Sequence, residues 1–479
     1  MKRRRFLKYG LYGCSSILGT ALGLGMPIGR AWGSHPSTGF PRTLVNLMLL
    51  GGADLRFTFV PAPDNAPDYV DRFWLARQGI YQNKYTSYAD MFTAEYQVVS
   101  DPLTTTTFGI HKSCGWLIQQ FNQRNVAIIA NVFGSLNRRH DQSVLIANTG
   151  DPLANRLVLD RDGWGGRFVE TASVASNAVA ISGNVPIICK GSNPANRLEH
   201  VVHGRDMRNF ALPGIDPLKN TVDPRNVLNR ALTAYYTQRG MEILNDKPVN
   251  WPFRSFFQQY ASLREFGDSI SNRLSEHPTP GPISDLNLND AEFELQCRNL
   301  YDCCLSFDIL NPKIISMEYT GWDHHKQLNA AIVSRQHDIF GLNGGLDVVS
   351  NQLATDVPAA NDNLVYTFTS DFGRQLAANG SAGTDHGRGT YSILIGNAVN
   401  GGVYGEMFPQ HEAVPDPGDS LGRSPLEIPG TDINGLTSFE RVLAQACDWA
   451  TPGSGGVVFP NAASSNLEAG VDLSGLFTT

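Results

Sequence analysis

The chain has 479 residues, of which 42% are hydrophobic and 17% charged, with a formal net charge of -7. That balance excludes a disordered or multi-span membrane chain and leaves an ordinary globular protein long enough for a large core. The acidic excess argues against nucleic acid as a partner, because a phosphate backbone needs a basic face.

The first segment, "MKRRRFLKYGLYGCSSILGTALGLGMPIGRAWG", differs from the rest: a basic start, a weakly apolar Gly/Leu/Ile stretch, then small residues around Ala31 and Gly33. Its "KRRRFLK" resembles the twin-arginine export motif, with Arg3 and Arg4 as the pair, Arg5 as the variable position and Lys2 where Ser or Thr is usual. Residues 1–33 are therefore read as a cleavable export signal handled by the twin-arginine translocase, which places the mature chain in the periplasm or outside a bacterium. The glycine-diluted apolar stretch is too weak for a stable membrane span after cleavage. Removing it leaves 32 of the 38 basic residues against 45 acidic ones, a formal charge of -13. Twin-arginine substrates typically fold before crossing, often with a cofactor bound, which is a first hint of a metal. Six cysteines remain, Cys114, Cys189, Cys297, Cys303, Cys304 and Cys447, without C-x-x-C spacing, so no thiolate zinc site is expected. An oxidising compartment permits disulfides, but the spacing does not reveal a pairing.

In chain order, the short apolar runs 43–52, 126–132, 178–182, 313–321, 364–373 and 391–397 read as strands. Helix candidates lie at about 113–123, where Trp116 and Leu117 pack and His111 caps or packs, and at about 334–354. "DGWGGRF" reads as a tight turn presenting a helix. The expected fold is α/β: a doubly wound, mostly parallel sheet sandwiched by helices, forming a single domain over residues 34–479. A stretch from about 200 to 310, with "NVLNRALTAYYTQRGMEIL" and "NDAEFELQCRNLYDCCLSFDIL" around "SEHPTPGPISD", is read as a helical insertion or cap. From about 400 onward the chain reads as loop.

Four of these strands run into polar residues suited to metal or anion chemistry. The first leads to Asp54 and the second to "FGSLNRRHDQS", with Ser135, Arg138, Arg139, His140, Asp141 and Ser143. "KIISMEY" leads to Asp323, His324 and His325, and "LVYTFTS" to Asp371, followed by Asp385 and His386. Carboxylates and imidazoles delivered by separate rigid strand ends are what zinc or a comparable divalent ion needs. Two ions would clamp both the attacking and leaving oxygens of a phosphoryl or sulfuryl transfer. Taken singly, Asp54 and Asp371 also suit helix or turn caps, and His324 or His325 an ordinary surface position. Arg138 and His140 suit anion binding or proton movement, or else a loop held by Arg–carboxylate pairing.

"GGADLRFTFVP", "GIHKSCGWL", "NRRHDQSVLIANTGDP", "GWGGRFVE", "GWDHHKQ" and "SDFGRQLAANGSAGTDHGRG" together resemble, in order, the domain-of-unknown-function family 1501. That family is similar to the alkaline phosphatase and sulfatase superfamily, whose doubly wound α/β fold carries a metal centre at the strand ends. The resemblance implies one or two divalent ions, zinc, calcium or magnesium. Asp323, His325 and His386 would form one site, and Asp54 and Asp371 a second. Phe372 stands where phosphatases of that superfamily carry a histidine, which leaves Asp385 as a candidate substitute ligand. Where the family shows SRSH, this chain has Asn137, Arg138, Arg139 and His140, so both serines are gone and the nucleophile is unassigned. Two functions follow as expectations. One is an exported metal-dependent hydrolase of a small anionic phosphate or sulfate ester, with Arg138 and His140 as candidate catalytic groups and Arg138 on the anion. The other is a catalytically inactive metal-binding envelope or assembly protein of the same fold, whose partner is an envelope component.

Overall fold

The computed structural model describes residues 39–478, apart from residues 65–66, 102, 136, 155–156, 159, 173–174, 210–233, 236–237, 239–264, 434 and 463–469. The expected export signal, residues 1–33, and nearly all of "NVLNRALTAYYTQRGMEIL" lie outside the described residues.

The strands in chain order are β1 (Thr43–Leu49), β2 (Phe59–Pro61), β3 (Tyr96–Ser100), β4 (Thr107–His111), β5 (Val126–Phe133) and β6 (Asn177–Ala180). They continue with β7 (Val201–His203), β8 (Pro312–Tyr319), β9 (Leu364–Ser370), β10 (Gly389–Ile395), β11 (Gly402–Tyr404) and β12 (Thr437–Ser438). Nine of them build one sheet in the order β11-β5-β10-β9-β1-β8-β6-β7, with β12 also paired to β5, while β2-β4-β3 form a small second sheet. The large sheet is parallel except at β10, which runs antiparallel to both β5 and β9. The fold is thus α/β, with a mostly parallel mixed sheet flanked by helices.

Alternation along the strands divides the core into two layers. Val45, Leu47 and Leu49 of β1, Ile315 and Met317 of β8, and Tyr366 and Phe368 of β9 pack in one layer with the Gly115–Asn122 and Ala291–Leu305 helices. Leu44, Ile314 and Val365 point the other way, onto the Trp164–Glu170 and Phe439–Ala450 helices. Each such buried aliphatic or aromatic side chain contributes roughly 1.5–3 kcal/mol relative to exposure. Both faces of the central strands are covered, which is why they read as near-continuous apolar runs. The six described cysteines are buried free thiols. No helix among the described residues is long and apolar enough to cross a membrane.

Three expectations about elements need correction. The 334–354 helix is two helices, Leu328–Phe340 and Gly345–Asp356, because "GLNGG" interrupts it, with Asn343 at φ 60° in the left-handed region. The chain after residue 400 is not all loop: it adds β11, β12 and the Phe439–Ala450 helix, whose N-cap Ser438 accepts a hydrogen bond from the Arg441 N–H. The apolar positions 439, 442, 443, 446, 447 and 450 repeat at helical spacing, a signal that the surrounding prolines and glycines obscure. Within the 200–310 stretch, Val201–His203 is a strand of the main sheet rather than part of a helical insertion, and helix is found at 265–276 and Ala291–Leu305.

In the Phe439–Ala450 helix, Glu440 is 3% exposed and its Oε2 has no hydrogen-bond partner. Burial pushes its pKa up to about 7. The folded state therefore holds a proton that the unfolded chain releases above its ordinary carboxyl pKa, so stability is lost as pH rises toward and past 7. Glu440→Gln should remove that loss: between about pH 5 and pH 8 the variant should gain about 2–3 kcal/mol on the parent in urea denaturation. An equal pH dependence in the two proteins would refute this.

Candidate metal centre

The site begins at the carboxyl end of β1, where Gly51 and Gly52 turn the chain at φ 123° and 80°. A Cβ on Gly51 would lie 2.4 Å from the Asp323 backbone nitrogen, and one on Gly52 2.5 Å from the Phe372 ring, so only glycine allows both the turn and the approach. Both N–H groups donate to Asp371 Oδ1, at 3.0 and 2.6 Å. Asp371 closes β9 and is 1% exposed; its Oδ2 lies 2.5 Å from Nδ1 of His140. That histidine opens the His140–Thr149 helix, in the connection that leaves β5. One buried carboxylate therefore fixes a glycine turn and an imidazole at once.

From the end of β8 comes Asp323. Its Oδ1 is 3.1 Å from Nε2 of both His325 and His386, and its Oδ2 is 3.6 Å from Nε2 of His140. The Nε2 atoms of His325 and His386 are 2.9 Å apart. All three rings are anchored from behind: Nδ1 of His140 on Asp371, Nδ1 of His325 on Asp385 Oδ1 at 2.9 Å, and Nδ1 of His386 on the Arg138 carbonyl at 3.0 Å. The carbonyl accepts only, so Nδ1 of His386 donates to it; where Nδ1 of His140 and His325 donates to its carboxylate in the same way, each Nε2 is left to present a lone pair. Facing lone pairs and a carboxylate oxygen repel one another unless a cation sits among them.

This donor set fits a divalent ion. Tetrahedral zinc ligands about 2.0–2.1 Å from the metal lie roughly 3.3 Å from one another, close to the separations around Asp323. His140, Asp323 and His386 each offer a ligand atom within 4.8 Å of the others. The outer partners complete what ligating histidines normally carry, a carboxylate or carbonyl on the second nitrogen. Phe372 is fully buried and sets its ring 4.6 Å from that of His140 and 4.5 Å from that of His386, an apolar wall behind both.

Arg374 ties these loops together. Its side chain is 1% exposed, yet it donates to the carbonyls of Gly51, Gly52, Trp322 and Thr384 and, at 2.5 Å, to Asp323 Oδ1. Burial raises the Asp323 pKa, but the Arg374 guanidinium outweighs it and holds the carboxyl below its ordinary value. Asp385 is also held low, by the Asn379 amide and by His325. Desolvation lowers the pKa of His386, which keeps the ring neutral and fit to ligate.

The structure brings Asp323, His325 and His386 together and adds His140. Asp371 stands behind His140, with its Oδ2 on the Nδ1 of that ring. Asp54 makes a buried ion pair with Arg77 at 2.6 Å and accepts from the Thr384 hydroxyl, and among the described contacts it shares no partner with Asp371. The Arg138 guanidinium is engaged by Asp432 at 2.9 Å and by the Gly430 carbonyl. His111 accepts from the Ser113 N–H and faces Glu95, in the capping and packing role expected of it. His324 is 6% exposed with no hydrogen-bond partner at either ring nitrogen, and burial, then Arg335 and Arg374, pushes its pKa down to about 4. Arg374, although it stands in the quoted "SDFGR" stretch, carries a role that motif reasoning missed, and nothing in the spacing of Asp432 distinguishes it from a surface charge.

These donors sit largely in one recognisable stretch. Residues 310–416 match a family model described as Protein of unknown function (DUF1501). The matched segment holds Asp323, His325, Asp371, Arg374, Asp385 and His386, whereas His140 comes from outside it. No curated protein matches the chain.

Proposed function

We propose that the protein is an exported, metal-dependent hydrolase of the alkaline phosphatase and sulfatase type that cleaves a phosphate or sulfate ester in the periplasm or outside a bacterial cell. The observation that carries this is the convergence of three back-anchored imidazoles on Asp323, at the edge of the sheet where ligands of open α/β folds bind. Asp323, His140, His325 and His386 would hold the ion. A bound divalent cation supplies Lewis acidity toward an ester oxygen. Asp371, Asp385 and the Arg138 carbonyl keep the three rings from rotating, so little reorganisation is needed when charge develops.

Among the described hydroxyls near the centre, Ser370 donates to backbone carbonyls, Thr384 to Asp54 and Ser143 to Asn137, while Ser135 accepts from the Asn137 N–H. That favours direct attack of water on phosphorus or sulfur over a protein-ester intermediate. A new bond forms from the water oxygen to phosphorus or sulfur, the bond to the leaving oxygen breaks with its electron pair, the attacking water gives a proton to solvent and the departing alkoxide takes one from it.

Metal analysis of the purified protein together with a panel of aryl phosphates and aryl sulfates tests the proposal. We expect about one divalent ion per chain and turnover that chelator abolishes. Metal-free protein with full turnover would sink it. A second reading is favoured by the donor set itself, since a carboxylate with back-anchored imidazoles also holds structural zinc. In that case chelation lowers the melting temperature while no ester is turned over, as for an inactive envelope or assembly protein.

A further inference from the structure

Two cationic side chains flank the metal-ligating histidines. Arg138 lies two residues before His140 and gives its carbonyl to His386; Arg388 lies two residues after His386. Both are partly exposed, at 35% and 49% of the side chain. Left alone, they would make an arm for a doubly charged phosphoryl group. They are not left alone. Asp432, 9% exposed at its side chain, takes Arg138 NH2 at 2.9 Å and Arg388 Nε at 3.5 Å. The chain around Asp432 is stitched to the site loop: Gln375 bridges to Asp432, Leu376 N–H donates to Thr431, Gly389 N–H to Ile433, and Gly430 N–H to the Gln375 side chain. Two guanidiniums thus share one fixed carboxylate, leaving a single net positive charge on this rim. Nearer the centre, the buried Arg374 already balances Asp323.

We propose that Asp432 is a specificity-determining residue that tunes the site toward singly charged anions, a phosphodiester or a sulfate monoester, and against dianionic phosphomonoesters. The proposal builds on the metal–ester function above and narrows its substrate class. A carboxylate at the rim repels the second charge of a dianion more than the single charge of a monoanion, and it holds back the N–H groups that would otherwise reach the ligand.

The test uses the full mature chain loaded with zinc and two probes at about pH 8, where inorganic phosphate is mainly a dianion and dimethyl phosphate a monoanion. Titration calorimetry of parent and Asp432→Asn should show the variant gaining about tenfold in affinity for phosphate and no more than about threefold for dimethyl phosphate. Arg388→Gln, at a half-exposed side chain, should weaken phosphate more than dimethyl phosphate, with circular dichroism checking that the variant is folded. Equal changes for the two probes in Asp432→Asn, or no saturable binding of either by the parent, would overturn the assignment. Charge discrimination of this kind with no turnover of any aryl ester would leave it standing while removing the hydrolase function.

Discussion

Asp323→Ala is expected to lower zinc affinity about 100-fold or more and to abolish ester turnover with it, a larger loss than the 10–100-fold typical of outer partners. Asp323 supplies the negative charge of the donor set, and both its oxygens are in use: Oδ1 faces two imidazoles and Oδ2 the third. Without it, three neutral rings remain beside the uncompensated Arg374 cation, and a divalent ion loses its charge partner. Asp385→Asn, which loosens the hold on His325 and the bond from the Asn379 amide without removing a ligand, should weaken zinc about tenfold. Competition with a chromophoric chelator measures both, and circular dichroism checks that the variants are folded. Retention of parent-level zinc affinity by Asp323→Ala would refute this assignment of the ligands.

Arg374→Met should destabilise the metal-free protein by about 3–5 kcal/mol, the usual cost of removing one partner from a buried charged network. Four buried carbonyls lose their donor together, and the partly exposed Asp323 carboxylate loses its cation. Arg374→Lys keeps the charge but not the fork, and one ammonium cannot serve loops that approach from β1, β8 and the 384 region at once. It should recover less than half of the loss. Urea denaturation of chelator-treated protein reads the effect without interference from metal binding. A loss under about 1 kcal/mol for Arg374→Met would show that the loops hold their positions without the clip.

The sheet was largely legible because its strands are buried on both faces, so runs such as "TLVNLMLLGG" and "LVYTFTSDFG" stand out without periodicity. What failed to show was anything set by a distant partner. The antiparallel direction of β10 leaves no mark on "YSILIGN", and the Phe439–Ala450 helix was hidden by its flanking turns. At the site, residue types were readable and roles were not. Asp54 and Asp371 look alike as acids after strands, yet one is spent on Arg77 and the other orients His140. Phe372 likewise reads as a missing ligand beside Asp371, whereas the imidazole at that place arrives from residue 140, more than two hundred positions away.

The reversed strand carries a consequence for how the molecule assembles. Because β10 runs against β9, the chain leaves the sheet at Asp371 and re-enters at Gly389 on one edge, so His386 can reach the centre only after β10 has docked between β9 and β5. The remaining donors wait on β5 and β8 in the same way, and apart from the consecutive β9 and β10 the pairings involved join strands far apart in sequence. A bound ion would act as a latch on the finished centre of the sheet, raising stability with its free concentration and slowing the reopening of the 371–388 excursion.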